Sequence, residues 1–305
     1  MDRTLLITGA TGTVSGALIE ALDDCGFRLR ALIRDPSKAE ALRARGIDVR
    51  IGDLDEPRSL PPAFEGVHDL WMVVPNGPRA AENNMNAIWA ARRADVERVV
   101  RLSAVDAAHD APTRSGRLHA LSDHEVRRSG LGWTILRPHW FMQNLLAEAD
   151  DIATEGTFRL NTADARLGMV DARDIAALAA KVLTDGPNHH HERIYTPTGP
   201  QSIGFADVAR QFERVLGTPV RYIPTADDER EARLLGFGVP AWIVGMLTEY
   251  ARAYASGWGD FTTTDVEDVT GRRPRGIADF AHDHADAFRG GVSGGGSGRC
   301  GADGR

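Results

Sequence analysis

Two glycines three residues apart, Gly9 and Gly12, stand between an apolar run at residues 5–7 and a helically spaced set, Ala17, Leu18, Ile19 and Leu22. Strand, glycine turn and helix start together make a phosphate cradle. A turn without side chains lets a phosphate approach the backbone, and the free N–H groups of the first helical turn point at the anion. Gly9, Thr11, Gly12, Thr13 and Val14 are the residues expected to meet it. The spacing is Gly-x-x-Gly rather than the Gly-x-Gly-x-x-Gly of the commonest dinucleotide fingerprint. Ser15 stands where a third glycine lets helix and strand pack closely, with Gly16 one residue later. Serine fits a helix start, and its hydroxyl is expected to reach a phosphate.

The next informative residue is Arg34, at the end of the second expected strand, residues 27–33. Sites that prefer NADH place an acid here to hold both ribose hydroxyls. An arginine's planar fork suits the additional 2′-phosphate of NADPH instead. Asp35 is committed as an N-cap ahead of Pro36, and Lys38 adds a second cation one turn on. NADPH is the expected cofactor, with no metal and no flavin.

These residues need a scaffold, and the hydrophobic pattern supplies one. Strands are expected at residues 27–33, 47–51, 67–74, 98–103 and 133–136 after the first. Helices fall between nearly every pair, at 35–45, 58–64, 80–94 and 118–128. Such alternation predicts an α/β, Rossmann-type doubly wound fold, with a mostly parallel sheet covered on both faces. Residues 1–150 are expected to form the dinucleotide-binding domain, with sheet contributions from about 165–200. Beyond 151 the rhythm loosens: helices at 171–183, 205–216 and 277–288, a broken helical stretch at 226–254, and short strands at 193–196 and 220–223. These pieces are too few for an independent sheet, so residues 151–289 are expected to form a smaller α+β lobe capping the strand ends. Residues 290–305 hold eight glycines and no core pattern, and are expected to be disordered.

Composition excludes several functions. A net charge of −7 over 305 residues argues against nucleic acid as the main partner. No stretch approaches the roughly 18 apolar residues of a membrane span, and, with the first residues running directly into a strand, no secretory leader is expected. Two cysteines, Cys25 and Cys300, make no disulfide framework. The expectation is a cytoplasmic protein. His189-His190-His191 suggests a metal, but adjacent histidines diverge and no cysteine lies nearby, so a solvated loop is expected.

Several motifs then carry a resemblance: Thr8-Gly-Ala-Thr-Gly12, Arg30-Ala-Leu-Ile-Arg-Asp-Pro36, Ser129-Gly-Leu-Gly-Trp-Thr-Ile-Leu-Arg-Pro138, Phe141-Met-Gln-Asn144, Asp171-Ala-Arg-Asp-Ile-Ala176 and Val269-Thr-Gly-Arg-Arg-Pro274. From Leu5 to Phe288 the chain resembles the NmrA-like, atypical short-chain dehydrogenase/reductase family, which includes NAD(P)H:quinone reductases and an NAD(P)H azoreductase. The resemblance implies that Asp53 and Leu54 lie beside the adenine, and that Val74 and Pro75 line the adenosine side. Ser103 ends the fifth strand, at the level where the nicotinamide should lie, and Pro138, after the sixth strand, is a further expected cofactor contact. Typical short-chain dehydrogenases also carry a Tyr-x-x-x-Lys pair for proton transfer. Here those positions hold His119 and Asp123. The departure argues against ordinary alcohol–ketone chemistry. His119 is expected to replace the tyrosine as proton donor, with Asp123 at i+4 holding the imidazole; a surface ion pair is the alternative.

His139, Trp140 and Phe141 follow the sixth strand, where an open α/β sheet places its ligand. They are expected to stack on a flat acceptor, with Gln143 and Asn144 as the nearest polar groups; packing of the lobe onto the sheet is the competing role. The function expected is NADPH-dependent hydride transfer to a quinone-like or azo-like aromatic acceptor by a possible homodimer. Two alternatives stand beside it: an NADP(H)-binding redox sensor without turnover, and a tailoring reductase or isomerase of an aromatic metabolite.

Overall fold

The computed structural model describes residues 3–23 and 25–290. Cys300 and nearly all of the glycine-rich tail lie outside the described residues. The strands in chain order are β1 Arg3–Ile7, β2 Phe27–Ile33, β3 Asp48–Ile51, β4 Asp69–Met72, β5 Arg98–Leu102, β6 Gly132–Leu136, β7 Thr157–Leu160, β8 Arg166–Leu167, β9 Arg193–Tyr195, β10 Ile203–Gly204 and β11 Arg221–Pro224. The helices are α1 Thr13–Ala21, α2 Ala39–Arg43, α3 Pro61–Phe64, α4 Ala80–Arg93, α5 Arg114–Arg128, α6 Ala149–Glu155 and α7 Ala172–Thr184. They continue as α8 Phe205–Leu216, α9 Asp227–Gly236, α10 Ala241–Ala255, α11 Asp265–Thr270, α12 Ile277–Asp283 and α13 Ala285–Phe288.

Seven strands form one parallel sheet in the order β3-β2-β1-β4-β5-β6-β9. Successive side chains on a strand point to opposite faces. Leu5 and Ile7 of β1 therefore join one core with α1 and α7, while Leu6 joins another with α3, α4 and α5. That is the doubly wound Rossmann arrangement. The strand order reverses between β1 and β4, the switch point where such a sheet binds its ligand. A third cluster, built on Phe158, Phe205, Phe212 and Phe280, forms the core of a smaller α+β lobe.

Two details differ from expectation, and the break within 226–254 agrees with it. Helix α5 begins at Arg114, ahead of the expected 118, because the Thr113 hydroxyl accepts from Gly116 N at 3.0 Å and caps it. The stretch 226–254 is two helices, α9 and α10, separated by the segment containing Gly238 and Pro240. The lobe also has its own strands, in two pairs, β11 with β7 and β10 with β8.

The β1–α1 turn explains Ser15. Its side chain does not face the phosphate side but is buried. The hydroxyl donates to Thr8 O at 3.4 Å and accepts from the indole N–H of the fully buried Trp71 on β4 at 3.0 Å. Serine thus does by a hydrogen bond what glycine does by smallness: it lets α1 seat closely on the sheet.

Ser15→Ala should strand a buried indole donor and cost about 1–3 kcal/mol in urea unfolding. An unchanged midpoint would show that the Trp71 contact carries no energy.

Candidate functional site

A cleft of about 440 Å³ opens at the carboxyl ends of β2, β1 and β4. Its floor includes Thr8, Gly9, Ala10 and Thr11, and its walls Arg34, Lys38, Asp53, Leu54, Val73 and Pro75. Gly9 has φ +60, and a Cβ there would stand 3.2 Å from the Val73 Cβ. A Cβ on Gly12 would meet Gly9 O at 3.2 Å. Gly12 caps α1 without a side-chain hydrogen bond, leaving the first N–H groups of the helix to a ligand. The cradle therefore fits a pyrophosphate. Thr13 is exposed beside it, whereas the Val14 side chain is buried in the core, so Val14 offers only its backbone N–H.

Arg34 and Lys38 are exposed on the cleft wall, and neither side chain makes a hydrogen bond or ion pair among the described residues. Asp35 is the cap the sequence implied. Its Oδ1 accepts from Ser37 N at 2.9 Å and Ser37 Oγ at 2.7 Å, which holds its carboxyl below the usual range. Asp53 lines the cleft while its Oδ1 closes a turn by accepting from Asp55 N at 3.0 Å. Val74 is a correction. Strand parity turns it into the core beneath the sheet, and Val73 faces the cleft instead. Asn83 of α4 also lines the cleft, with a buried side-chain oxygen that has no partner.

Beyond β4, the neighbouring strands β5 and β6 end in register at Leu102 and Leu136. Ser103 and Arg137 therefore stand side by side, one residue beyond the level of Val73 and Leu102. Both reach the buried carboxylate of Asp123 on α5. Its Oδ2 accepts from Ser103 Oγ at 3.0 Å and from Arg137 Nε at 2.9 Å and Nη2 at 2.8 Å, while its Oδ1 accepts from Arg101 Nη1 of β5. Arg101 in turn donates Nε to Asn84 Oδ1 at 3.0 Å, and its Nη2 lies 3.1 Å from His119 Nδ1.

This geometry corrects the expected pair. No His119–Asp123 hydrogen bond is found among the described residues; Arg101 stands between them. Because a guanidinium only donates, Nδ1 must accept and the imidazole proton sits on Nε2. Burial, with the nearby charges of Arg101 and Arg137, holds His119 well below its ordinary range, so it is neutral rather than a store of an acidic proton. Arg101 and Arg137 were not singled out from the sequence. The available signal was Arg98 and Arg101 within a central strand, where a buried charge demands a partner.

Downstream of β6 the expected acceptor residues are mostly structural. Pro138 is buried, and its carbonyl accepts from Val105 N at 3.1 Å. His139 is 1% exposed; Nδ1 accepts from Trp140 N at 2.7 Å and Nε2 donates to Gly259 O at 3.0 Å. Its ring lies between Tyr254 and Phe261. Trp140 packs edge-on against Phe205 in the lobe's core, and Phe141 packs against the core shared by α1 and α7. Gln143 binds Asp171 Oδ1 and Ala172 N at the start of α7, and Asn144 alone is exposed. The histidine run is also less solvated than expected. His190 is buried, with Nδ1 2.8 Å from Tyr195 Oη and Nε2 3.1 Å from Asp185 Oδ2. Among the described residues no helix is long and apolar enough to cross a membrane.

With this geometry in hand, comparison with known proteins gives the class. Residues 9–186 match a family described as NAD(P)H-binding. The chain belongs to that NAD(P)H-binding family. It is 37% identical to an NAD(P)H azoreductase of Xenophilus azovorans over 93% of this chain and 99% of the relative. It is 32% identical to a (4-alkanoyl-5-oxo-2,5-dihydrofuran-3-yl)methyl phosphate reductase of Streptomyces griseus, over 93% and 99%. Among solved structures, an NADPH-dependent quinone oxidoreductase of Escherichia coli complexed with NADPH superposes with TM-score 0.81 at 26% identity, over 92% of this chain and 99% of that one. The resemblance read from the motifs therefore holds.

The buried His139 ties stability to pH. Burial pushes its pKa down to about 4. The unfolded chain takes up this proton below roughly pH 6.5, and the folded chain only near its depressed value. Stability therefore falls as pH drops through that window, by roughly 2 kcal/mol from this residue at about pH 5. His139→Gln should be less stable near neutrality yet lose less on acidification; equal losses would remove His139 as the cause.

Proposed function

We propose that this NAD(P)H-dependent oxidoreductase takes NADPH and delivers hydride to a quinone-like or azo-like aromatic acceptor beside Ser103, His119 and Asp123. The observation that carries the cofactor choice is Arg34, a guanidinium on the cleft wall with no hydrogen-bond partner among the described residues. It supports recognition of a 2′-phosphate, with Lys38 as a second cation. Gly9, Thr11, Gly12 and Thr13 hold the pyrophosphate at the start of α1. Asp53, Leu54 and Pro75 enclose the adenosine, Leu54 contributing apolar surface against the adenine.

NADPH supplies a hydride, two electrons with one hydrogen nucleus. What the chain contributes is orientation and a polarised pocket. Ser103 and Arg137 sit at the carboxyl ends of β5 and β6, on the same edge of the sheet as the cleft at β2, β1 and β4. The absent Tyr-x-x-x-Lys pair and the neutral His119 support an acceptor that needs no strong acid, as quinones and azo compounds do not: their reduction potential drives transfer and protonation follows from solvent. The azoreductase and quinone oxidoreductase relatives support the same acceptor class.

Purified protein should oxidise NADPH when given a panel of quinones and azo dyes. No rate above background with any of them would defeat the reading, leaving a redox sensor. For the cofactor, Arg34→Ala should weaken NADPH by about 1.5–3 kcal/mol, roughly ten- to a hundredfold, and leave NADH nearly unchanged. Equal losses would mean that Arg34 does not read the 2′-phosphate.

A further inference from the structure

We propose that Arg137 and His119 form an anion-stabilising site that takes up the negative charge left on the acceptor by hydride transfer, in place of a proton donor. This rests on the functional reading above and specifies its acceptor: one whose hydride adduct is a stabilised anion, such as a quinone reduced to its hydroquinone monoanion.

The argument is geometric. Asp123 is fully engaged, receiving Arg101, Ser103 and Arg137. The Ser103 hydroxyl is thereby spent, since its one proton points at the carboxylate. Arg137 is not spent. Its Nε and Nη2 face Asp123, no hydrogen bond from Nη1 is found among the described residues, and its side chain is 20% exposed where Arg101 and Asp123 are sealed at 3% and 2%. His119 is in the same position. Arg101 fixes Nδ1 as acceptor, and the proton on Nε2 is left to donate elsewhere. The cluster thus holds two guanidiniums against one bonded carboxylate. Among the described residues, Asp106, on the loop after β5, is coupled electrostatically to Arg137, and Tyr254 of α10 is coupled to Asp106. Arg137 acts on Asp106 at a distance, without a hydrogen bond, while burial raises the Asp106 carboxyl. Tyr254 is held protonated by burial, with Tyr250 and Asp106 reinforcing the effect.

Donors fixed where charge develops lower a barrier without needing to give up a proton. In the step itself a C–H bond of the dihydronicotinamide breaks, its hydride bonds to one quinone oxygen, the ring π electrons shift so that the other carbonyl oxygen becomes a phenolate, and the dihydronicotinamide is oxidised to nicotinamide. The charge rests on oxygen against Arg137 Nη1 and His119 Nε2–H. One proton from solvent then completes the neutral product.

The test uses p-nitrophenol as a probe whose ionisation is visible, with the protein saturated in NADP⁺. Wild type should bind the phenolate in preference to the phenol, lowering the probe's apparent pKa. Arg137→Gln should abolish that shift and lower kcat for a quinone by about a hundredfold, while NADP⁺ affinity stays within about twofold of wild type on the tenfold-per-1.4 kcal/mol scale. Arg137→Lys, which keeps the charge, should retain much of both. An unshifted probe in wild type overturns the proposal without any variant having to fold. So does a quinone rate in Arg137→Gln equal to wild type. If wild type shifts the probe but turns over no acceptor, the anion site stands and the reductase reading is what fails.

Discussion

A buried carboxylate must be paid for, and Asp123 is neutralised by guanidiniums that arrive from two strands. Arg101 comes from β5 and Arg137 from the end of β6, so the ends of both strands and the middle of α5 are fixed by one side chain. Losing the acid would leave two cations in a poorly solvated pocket, the situation in which breaking a buried pair is strongly destabilising. Ser103 and His119 take their orientations from the same arrangement, one directly and one through Arg101. The chemistry open to the site follows from this constraint. A histidine ringed by cations stays neutral, and a serine bonded to a carboxylate cannot turn to a substrate.

The cofactor side obeys a different constraint, close approach of backbone. Gly9 and Gly12 leave room where any side chain would intrude, and Ser15 substitutes a hydrogen bond to Trp71 for the missing third glycine. The two halves meet because the strands are parallel and in register. Carboxyl ends collect on one edge of the sheet, with the phosphate cradle at β1 and the guanidinium cluster at β5 and β6. In the proposed reading, a dinucleotide laid along that edge from β2 towards β6 brings its nicotinamide end to the cluster.

Local features of this plan were legible in the sequence, and long-range ones were not. The central strands β1, β4 and β6 were readable because two-sided burial makes them nearly continuous apolar runs. The turn, Arg34 and the Asp35 cap were readable because their meaning lies within a few residues. Parity at a strand end misled at Val74, where one residue decides between cleft and core. His139, Trp140 and Phe141 were expected at the acceptor from their position after β6, but packing of His139 against Tyr254 and Phe261, of Trp140 against Phe205 and of Phe141 against the α1 and α7 core gives them structural work. The partners of Asp123 lie 22 residues before it and 14 after it in sequence, and no spacing rule connects them.

The central claim is that one edge of this sheet binds NADPH and presents it to a cation-rich acceptor pocket. A crystal structure of the protein with NADP⁺ and a bound quinone tests it most directly. The account predicts the 2′-phosphate against Arg34, the pyrophosphate at the start of α1, and the quinone oxygen in hydrogen-bond contact with Arg137 and His119. A nicotinamide turned away from Ser103, or a quinone bound elsewhere in the fold, would contradict it.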